Sequence, residues 1–205
     1  MKSFPAGLLA GAVICCAAAC SGGGTSNSGD SAPATTISTS SVSRPTLTAS
    51  KLQPPPQHAE DGRSELPSVV FDPCTWISDQ TISKAGYDPS SRHRIKDIVA
   101  ENTFLTCGFK SPLRTLRVNS GNATWAEDLQ KNAGKAEPAS VNDREAVWVR
   151  DPALPESCEI DLRTKVGFVQ VISDLTDETN PRQTPPCDGL LDTATAVETE
   201  IGKDN

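Results

Sequence analysis

The sequence predicts an α+β protein in which an antiparallel sheet of about five strands is packed by helices, after an N-terminal signal and a disordered tether. Three observations predict it. The first twenty residues are mostly apolar, and the next forty are rich in Ser, Thr, Gly and Pro, so neither stretch builds a core. Short β-branched runs then follow one another through turn signals. Segments with helical spacing of apolar residues flank these runs.

The chain has 205 residues and a formal net charge of -7, with 2 His and 7 Cys. This length predicts one folded domain with appendages. The acidic balance argues against a nucleic-acid partner, because neutralising phosphates requires a basic surface. Two His are too few for most His-based metal or acid–base sites, and no cofactor is expected.

The first twenty residues are typical of an export signal. Lys2 supplies a positive region, and 7–16 is an uncharged, mostly apolar stretch. The run stops at Cys20, so a permanent spanning helix of roughly 20 apolar residues is the weaker interpretation. Ala17-Ala18-Ala19-Cys20 resembles a bacterial lipobox. The resemblance implies a lipoprotein signal peptide over 1–19, cleavage before Cys20 and lipid on its thiol and new amino group. An ordinary secretory signal cut at an A-x-A site remains the alternative.

Residues 20–64 are predicted to be a disordered tether that begins at the lipidated Cys20. Between 21 and 60, 24 of 40 residues are Ser, Thr, Gly or Pro. Such a segment buries too little surface to offset the entropy of ordering it. We expect a flexible spacer that ends in Pro54-Pro55-Pro56, with His58 in solvent. A single α+β domain over 65–205 follows.

The domain is predicted to open with two short helices. Asp72 and Pro73 are a favourable cap and first residue for a helix over 74–77. Ser78 caps a second helix over 79–85, and Gly86 closes it. The next stretch, 87–96, is predicted to be a polar loop.

Five strands with period-two apolar patterns follow: 98–110, 113–119, 144–150, 158–163 and 166–173. The alternation is clearest in the fourth. It predicts that Cys158, Ile160 and Leu162 face the core. It predicts that Glu159, Asp161 and Arg163 face solvent.

Two further helices are predicted. A capping box at Thr124 and Glu127 begins one that extends to about residue 132. The last helix, 188–201, follows a long polar loop over 174–186. Its apolar residues have the spacing of a buried stripe: Leu190 or Leu191, then Ala194, Val197 and Ile201.

The four cysteines of the domain are predicted to form disulfides, because an exported chain meets oxidising conditions. Four cysteines allow three pairings, and we favour Cys74 with Cys107 and Cys158 with Cys187. Each bond closes a loop of about 30 residues. A structural zinc site is the rival, but the spacing contains no C-x₂-C element and no His lies beside a Cys, so no metal is expected.

Several short motifs follow one another along the domain. They include Phe71-Asp72-Pro73-Cys74-Thr75, Ser120-Gly121-Asn122-Ala123-Thr124-Trp125, and Cys158 followed by Ile160-Asp161-Leu162. Taken in this order, they resemble a family of actinobacterial lipoproteins known as domain of unknown function 3558. The resemblance covers about 62–203 together with the lipobox. It implies an envelope lipoprotein with no established activity, and it supplies no catalytic residues.

The carboxylate pairs of the domain are predicted to be solvent-exposed rather than catalytic. They are Glu127-Asp128, Asp97 with Glu101, and Glu159 with Asp161, and Glu198 and Glu200 are interpreted in the same way. An acidic chain produces such pairs by chance. A catalytic Cys would require a base, and His93 is the only His in the domain.

The other candidates also favour a structural interpretation. The basic cluster Arg92-His93-Arg94-Ile95-Lys96 has the charge to meet an anionic headgroup or an acidic partner, but a solvated loop is the favoured interpretation. Trp125 and Trp148 are expected in the core rather than on a ligand platform.

The sequence therefore predicts a membrane-anchored lipoprotein on the extracytoplasmic face of the cell membrane. We expect a non-catalytic binding module whose partner is an envelope protein or a small lipid or ligand. The alternative is a small extracytoplasmic enzyme with an unrecognised site. A pocket with a few convergent polar groups would favour binding, whereas a cleft carboxylate with a displaced pKa would favour the enzyme.

Overall fold

The computed structural model of the protein describes residues 47–57, 66–176, 183–203 and 205. The predicted signal peptide, Cys20, most of the predicted tether and His58 lie outside these residues. These ranges contain four α-helices: α1 (Pro73–Trp76), α2 (Asp79–Lys84), α3 (Trp125–Lys131) and α4 (Leu190–Ile201). Within the described ranges, no helix is long and apolar enough to cross a membrane.

Eight strands form one sheet. They are β1 (Asp88–Arg94), β2 (Ile98–Val99), β3 (Thr103–Lys110), β4 (Arg114–Gly121), β5 (Ala136–Val141), β6 (Arg144–Val149), β7 (Ser157–Arg163) and β8 (Phe168–Leu175). The order across the sheet is β1-β3-β4-β8-β7-β6-β5, and β2 also pairs with β3. Every pair is antiparallel. The α+β class is therefore confirmed.

The predicted number of strands, about five, was too low. β1 lies inside the segment predicted to be a polar loop, and β5 was not predicted. Both are edge strands, and each contains a proline, Pro89 or Pro138, which is tolerated at a sheet edge but weakens the sequence signal. The strand predicted over 98–110 is divided into β2 and β3 by a turn, and β2 folds back to pair with β3.

One face of the sheet, here called the core face, packs against α1, α2 and α4. Its central side chains include Phe109 of β3, Leu116 of β4 and Ile160 of β7, all with no measurable exposure. The predicted stripe of α4 covers it: Leu190, Ala194, Val197 and Ile201 are at most 1% exposed. Leu191 is 45% exposed, which settles the choice that the sequence left open.

The opposite face of the sheet, here called the α3 face, is polar along its centre. It carries Asn119 of β4, Gln170 of β8 and Asp161 of β7, which stand opposite one another across the sheet. Helix α3 lies over the β7 part of this face, because Asn132, its C-cap residue, bonds to Asp161.

The segment Leu47–Gln57 is part of the folded domain, so the predicted tether is wrong for these residues. Leu52 is 6% exposed and belongs to the hydrophobic core. The backbone N–H of Leu47 donates to the carbonyl of Thr75 at 2.8 Å. The side chain of Gln57 makes two bonds to the backbone of Val69, at 2.7 and 2.9 Å. The domain therefore includes residues well before 65.

Candidate functional site

Two disulfides brace the domain. Cys74 of α1 is bonded to Cys107 of β3, and Cys158 of β7 is bonded to Cys187 just before α4. Their Cα atoms are 5.0 and 5.1 Å apart, which is normal for a disulfide. This is the pairing favoured from the sequence. The first disulfide therefore joins α1 to the sheet, and the second joins the chain just before α4 to the sheet.

No metal centre is apparent in the described part of the chain, since no three His, Cys, Asp or Glu side chains there are arranged to hold an ion. The sulfur atoms that a zinc site would have used are the disulfide sulfurs.

The basic cluster lies mostly on β1 and is not a solvated loop. Arg92 is buried; it bonds to Asp79 at 2.7 Å, and its guanidinium lies 4.9 Å from the centre of the Phe109 ring. Arg94 bonds to the carboxylates of Asp72 and Asp97. Both charges therefore serve to hold α1, α2 and the segment before β3 together.

The remaining members of the cluster do not assemble a catalytic group. His93 is exposed, and its Nδ1 lies 2.9 Å from the carbonyl of Ser91. Its ring lies against Gly108, where an added Cβ would approach within 2.6 Å of Cε1. The neighbouring Cys107 is in a disulfide, so His93 has no thiol nucleophile to activate.

Two carboxylates predicted to face solvent are buried under α3, and this prediction was wrong. Asp128 of α3 is 2% exposed and Asp161 of β7 is 0% exposed. The two carboxyl groups lie close enough for each to affect the protonation of the other. Asn132 Nδ2 donates to Asp128 Oδ1 at 3.1 Å and to Asp161 Oδ2 at 3.4 Å. Neither Asp128 Oδ2 nor Asp161 Oδ1 has a hydrogen-bond partner.

Burial governs the protonation of this pair. Desolvation raises the pKa of Asp128 above its ordinary value, and to a lesser degree the charge of Glu159 acts in the same direction. Desolvation also raises the pKa of Asp161, more strongly, and again Glu159 adds to the shift. Ionising both of two neighbouring carboxyl groups in a site without water is energetically unfavourable. The pair is therefore expected to share a proton at neutral pH.

A row of amide and hydroxyl groups crosses the α3 face and ends at Glu159, whose charge acts on this pair. Thr106 donates to Asn119 at 2.9 Å, and Asn119 donates to Gln170 at 2.7 Å. Gln170 in turn donates to Glu159. Each amide is oriented by the next, so the row fixes its members in place.

Glu198 and Glu200 of α4 also have structural partners, contrary to the solvent-exposed interpretation. Arg144 Nε bonds to Glu198 at 3.0 Å, with both side chains about nine-tenths buried. Ser78 and Thr81 donate their hydroxyls to Glu200 at 2.8 and 2.5 Å, which ties α2 to the end of α4.

Trp125 and Trp148 are only half-buried. Trp148 packs against the edge of the core, with Arg150 5.0 Å from the centre of its ring. Trp125 begins α3 and donates its Nε1 hydrogen to Glu145 at 2.9 Å. The expectation of a core position is therefore confirmed only in part for Trp148 and is wrong for Trp125.

A cavity of about 330 Å³ lies where the α2–β1 connection, the β3–β4 turn and the start of α4 meet. Its lining combines apolar groups such as Leu113 with the polar groups of Tyr87, Arg114 and Thr193. The Tyr87 hydroxyl lies 3.4 Å from Ser173 Oγ, and burial raises the pKa of Tyr87. The volume is within the lower range of small-molecule pockets, which begins at about 300 Å³.

Arg114 is fixed in this cavity by the chain that precedes α4. Its guanidinium donates to the carbonyls of Pro186 at 2.6 Å and Pro185 at 2.9 Å. The neighbouring bond between Cys187 and Cys158 holds that chain to β7. Sequence reasoning missed this cavity because its residues come from three separate segments and share no local motif.

A second cavity of about 250 Å³ is lined by Asn142, Asp143, Arg144, Glu198 and Lys203. The guanidinium of Arg144 in this cavity already has hydrogen-bond partners within the domain. Arg144 donates to Glu198 and to the carbonyls of Arg163, Gly202 and Asn205. This cavity thus surrounds the contact that holds the C-terminal end on the domain.

Residues 15–200 match the protein family described as "Protein of unknown function (DUF3558)", and the chain belongs to that family. No curated protein and no solved structure matches the chain. The family carries no established activity, so the site itself is the basis for any functional conclusion.

Proposed function

We propose that the protein is an exported lipoprotein, anchored through Cys20 to the extracytoplasmic face of the cell membrane, and that its domain is a non-catalytic binding module. The observation that carries the binding function is the cavity lined by Tyr87, Arg114 and Thr193. Its lining joins apolar side chains to a few polar groups, which is the usual composition of a small-molecule site.

The location is supported by the N-terminal sequence and by the chemistry of the domain. Ala17-Ala18-Ala19-Cys20 provides an acceptor for the lipid. Two disulfides are typical of a protein that folds outside the reducing cytosol. Several acyl chains give stable anchoring at about 0.8 kcal/mol per buried CH₂, whereas one chain gives only marginal binding.

The ordered segment Leu47–Gln57 shortens the proposed spacer. The tether predicted from the sequence is then reduced to 20–46. A flexible tether of that length would have a root-mean-square span of roughly 25–31 Å. The domain is therefore proposed to sit near the membrane surface and to meet ligands or envelope proteins there.

The alternative of a small extracytoplasmic enzyme has weaker support. The carboxyl groups with the most strongly raised pKa values, on Asp128 and Asp161, are closed off from solvent under α3. A catalytic carboxyl has to reach a substrate.

Site-specific photo-crosslinking in intact membranes tests the binding function. A diazirine-bearing residue replaces Leu113, which lines the cavity and is 53% exposed. The matched control replaces Leu154, which lies in the β6–β7 connection and is 50% exposed. We expect one reproducible adduct from position 113 that is absent from position 154. No adduct from either position, or the same adducts from both, would contradict the proposal.

A further inference from the structure

Helix α3 is attached to the sheet in an unusual way. Its only buried side chain is a carboxylate, that of Asp128. Its one large aliphatic side chain, Leu129, is 38% exposed. Most surface helices, α4 among them, are held by a stripe of apolar residues. Helix α3 has no such stripe and depends on polar contacts instead.

Those polar contacts are of two kinds. At the start of α3, Trp125 donates to Glu145 of β6, which also accepts a bond from Arg163 of β7 at 2.6 Å. Beneath the helix, Asp128 meets Asp161, and Asn132 donates to both. The first contact lies at the surface and the second is dry, so the second is the more sensitive to charge.

Two oxygens without partners show that the buried contact between Asp128 and Asp161 requires a proton. Asp128 Oδ2 and Asp161 Oδ1 are fully buried oxygens with no hydrogen-bond partner. A proton on either carboxyl turns one oxygen into a donor for the other. One proton therefore replaces a repulsive contact by a charge-assisted hydrogen bond.

The surroundings of the pair favour retention of that proton. Glu159 of β7 adds negative charge, and Lys131 of α3 opposes it only in part. β8 presents the neutral Gln170, and β6 presents Val147 opposite Asp161. Glu145 of β6 is itself paired with Arg163.

We propose that Asp128 and Asp161 form a proton-dependent latch, in which a proton shared by the two carboxyl groups holds α3 on the sheet and loss of that proton releases the helix. Release exposes the part of the α3 face around Asp161 and Gln170, while both disulfides and the core face stay intact. The latch is independent of the cavity proposed for binding, which lies at the start of α4.

The direction of the pH dependence follows from the sign of the shift. Both pKa values are higher in the docked state than in an open state, where the carboxyls meet water. Between the open-state and docked-state values, docking takes up a proton, so it is strongest at low pH and is lost as pH rises. One proton changes the opening equilibrium about tenfold per pH unit within that interval.

Hydrogen exchange of the mature chain, followed by mass spectrometry between pH 6 and 9, tests the latch. After correction for intrinsic exchange, we expect the protection of 124–133 to fall about tenfold per pH unit. Asp161→Asn keeps a donor toward Asp128 without a titrating proton, so its α3 should stay protected with little pH dependence. Glu156→Gln, at an exposed position, should behave as the wild type.

Equal protection of α3 at every pH in the wild type, or an unchanged pH dependence in Asp161→Asn, would overturn the proposal. A carboxyl ¹³C titration of the wild type supplies a test that needs no variant. We expect one Asp carboxyl to remain protonated at pH 7. Ionisation of every Asp below pH 5 would also overturn the latch.

Discussion

The packing of Leu52 provides a direct test of where the folded domain begins. Leu52 is 6% exposed and lies in the core, and its carbonyl accepts hydrogen bonds from the guanidinium of Arg94. A buried Leu→Ala change costs about 2–5 kcal/mol, depending on how well the site collapses. Leu52 lies at the margin of the core, so we expect a loss of about 2–3 kcal/mol for Leu52→Ala.

The assay is reversible urea or thermal unfolding of the disulfide-intact protein. One kcal/mol shifts the Tm of a domain of this size by about 2–4 °C, so Leu52→Ala should lower the Tm by roughly 5–10 °C. The urea m-value should stay near that of the wild type, because the same surface unfolds.

Leu154→Ala is the matched control, since Leu154 is 50% exposed and lies in a connection between strands. Its stability should stay within about 0.5 kcal/mol of the wild type. If Leu52→Ala were as stable as Leu154→Ala, the segment 47–57 would be a free spacer, and its inclusion in the domain would be refuted.

Two further changes probe the contacts that brace the domain. Replacing Cys74 and Cys107 together by Ala should lower the free energy of unfolding by about 3–4 kcal/mol in the chain-entropy model, given a separation of 33 residues; a loss below about 1 kcal/mol by urea unfolding would contradict this. Arg144→Met leaves Glu198 buried without its cation and should cost about 3–5 kcal/mol. The control Arg150→Met, in an exposed ion pair, should cost about 1 kcal/mol or less. Equal losses for the two Arg variants would show that the Arg144 contact is not buried in solution.

Parts of the fold were predictable because their signals are local. The cap formed by Asp72 and Pro73, the capping box of α3 and the stripe of α4 all lie where the sequence placed them. The two disulfides match the pairing that was favoured among the three possible ones.

Other parts could not be predicted because their determinants are distant in sequence. The sequence of β1 is polar, and its pairing depends on β3, which supplies the partner strand. The alternation of β7 correctly separated its two faces, but no local pattern shows that α3 covers Asp161. Leu52 is isolated among polar residues, and its burial depends on a core built by later segments.

The cavity and the carboxyl pair are also formed by residues that are distant in the sequence. Arg114 lines the cavity because Pro185 and Pro186 approach it from 71 and 72 residues further along the chain. Asp128 and Asp161 are 33 positions apart and meet only when α3 packs on the sheet. The spacing of residues in a single sequence does not reveal such contacts. Both sites could therefore be identified only from the folded structure.

The central claim is that this disulfide-braced domain is held at a membrane by a lipid on Cys20. Intact and peptide-level mass spectrometry of the protein from its native host, without reduction, measures this most directly. We predict an N-terminal peptide that begins at acylated Cys20, together with linked peptides containing Cys74 with Cys107 and Cys158 with Cys187. A cytosolic protein that retains 1–19, carries no lipid and has four free domain thiols would contradict the account.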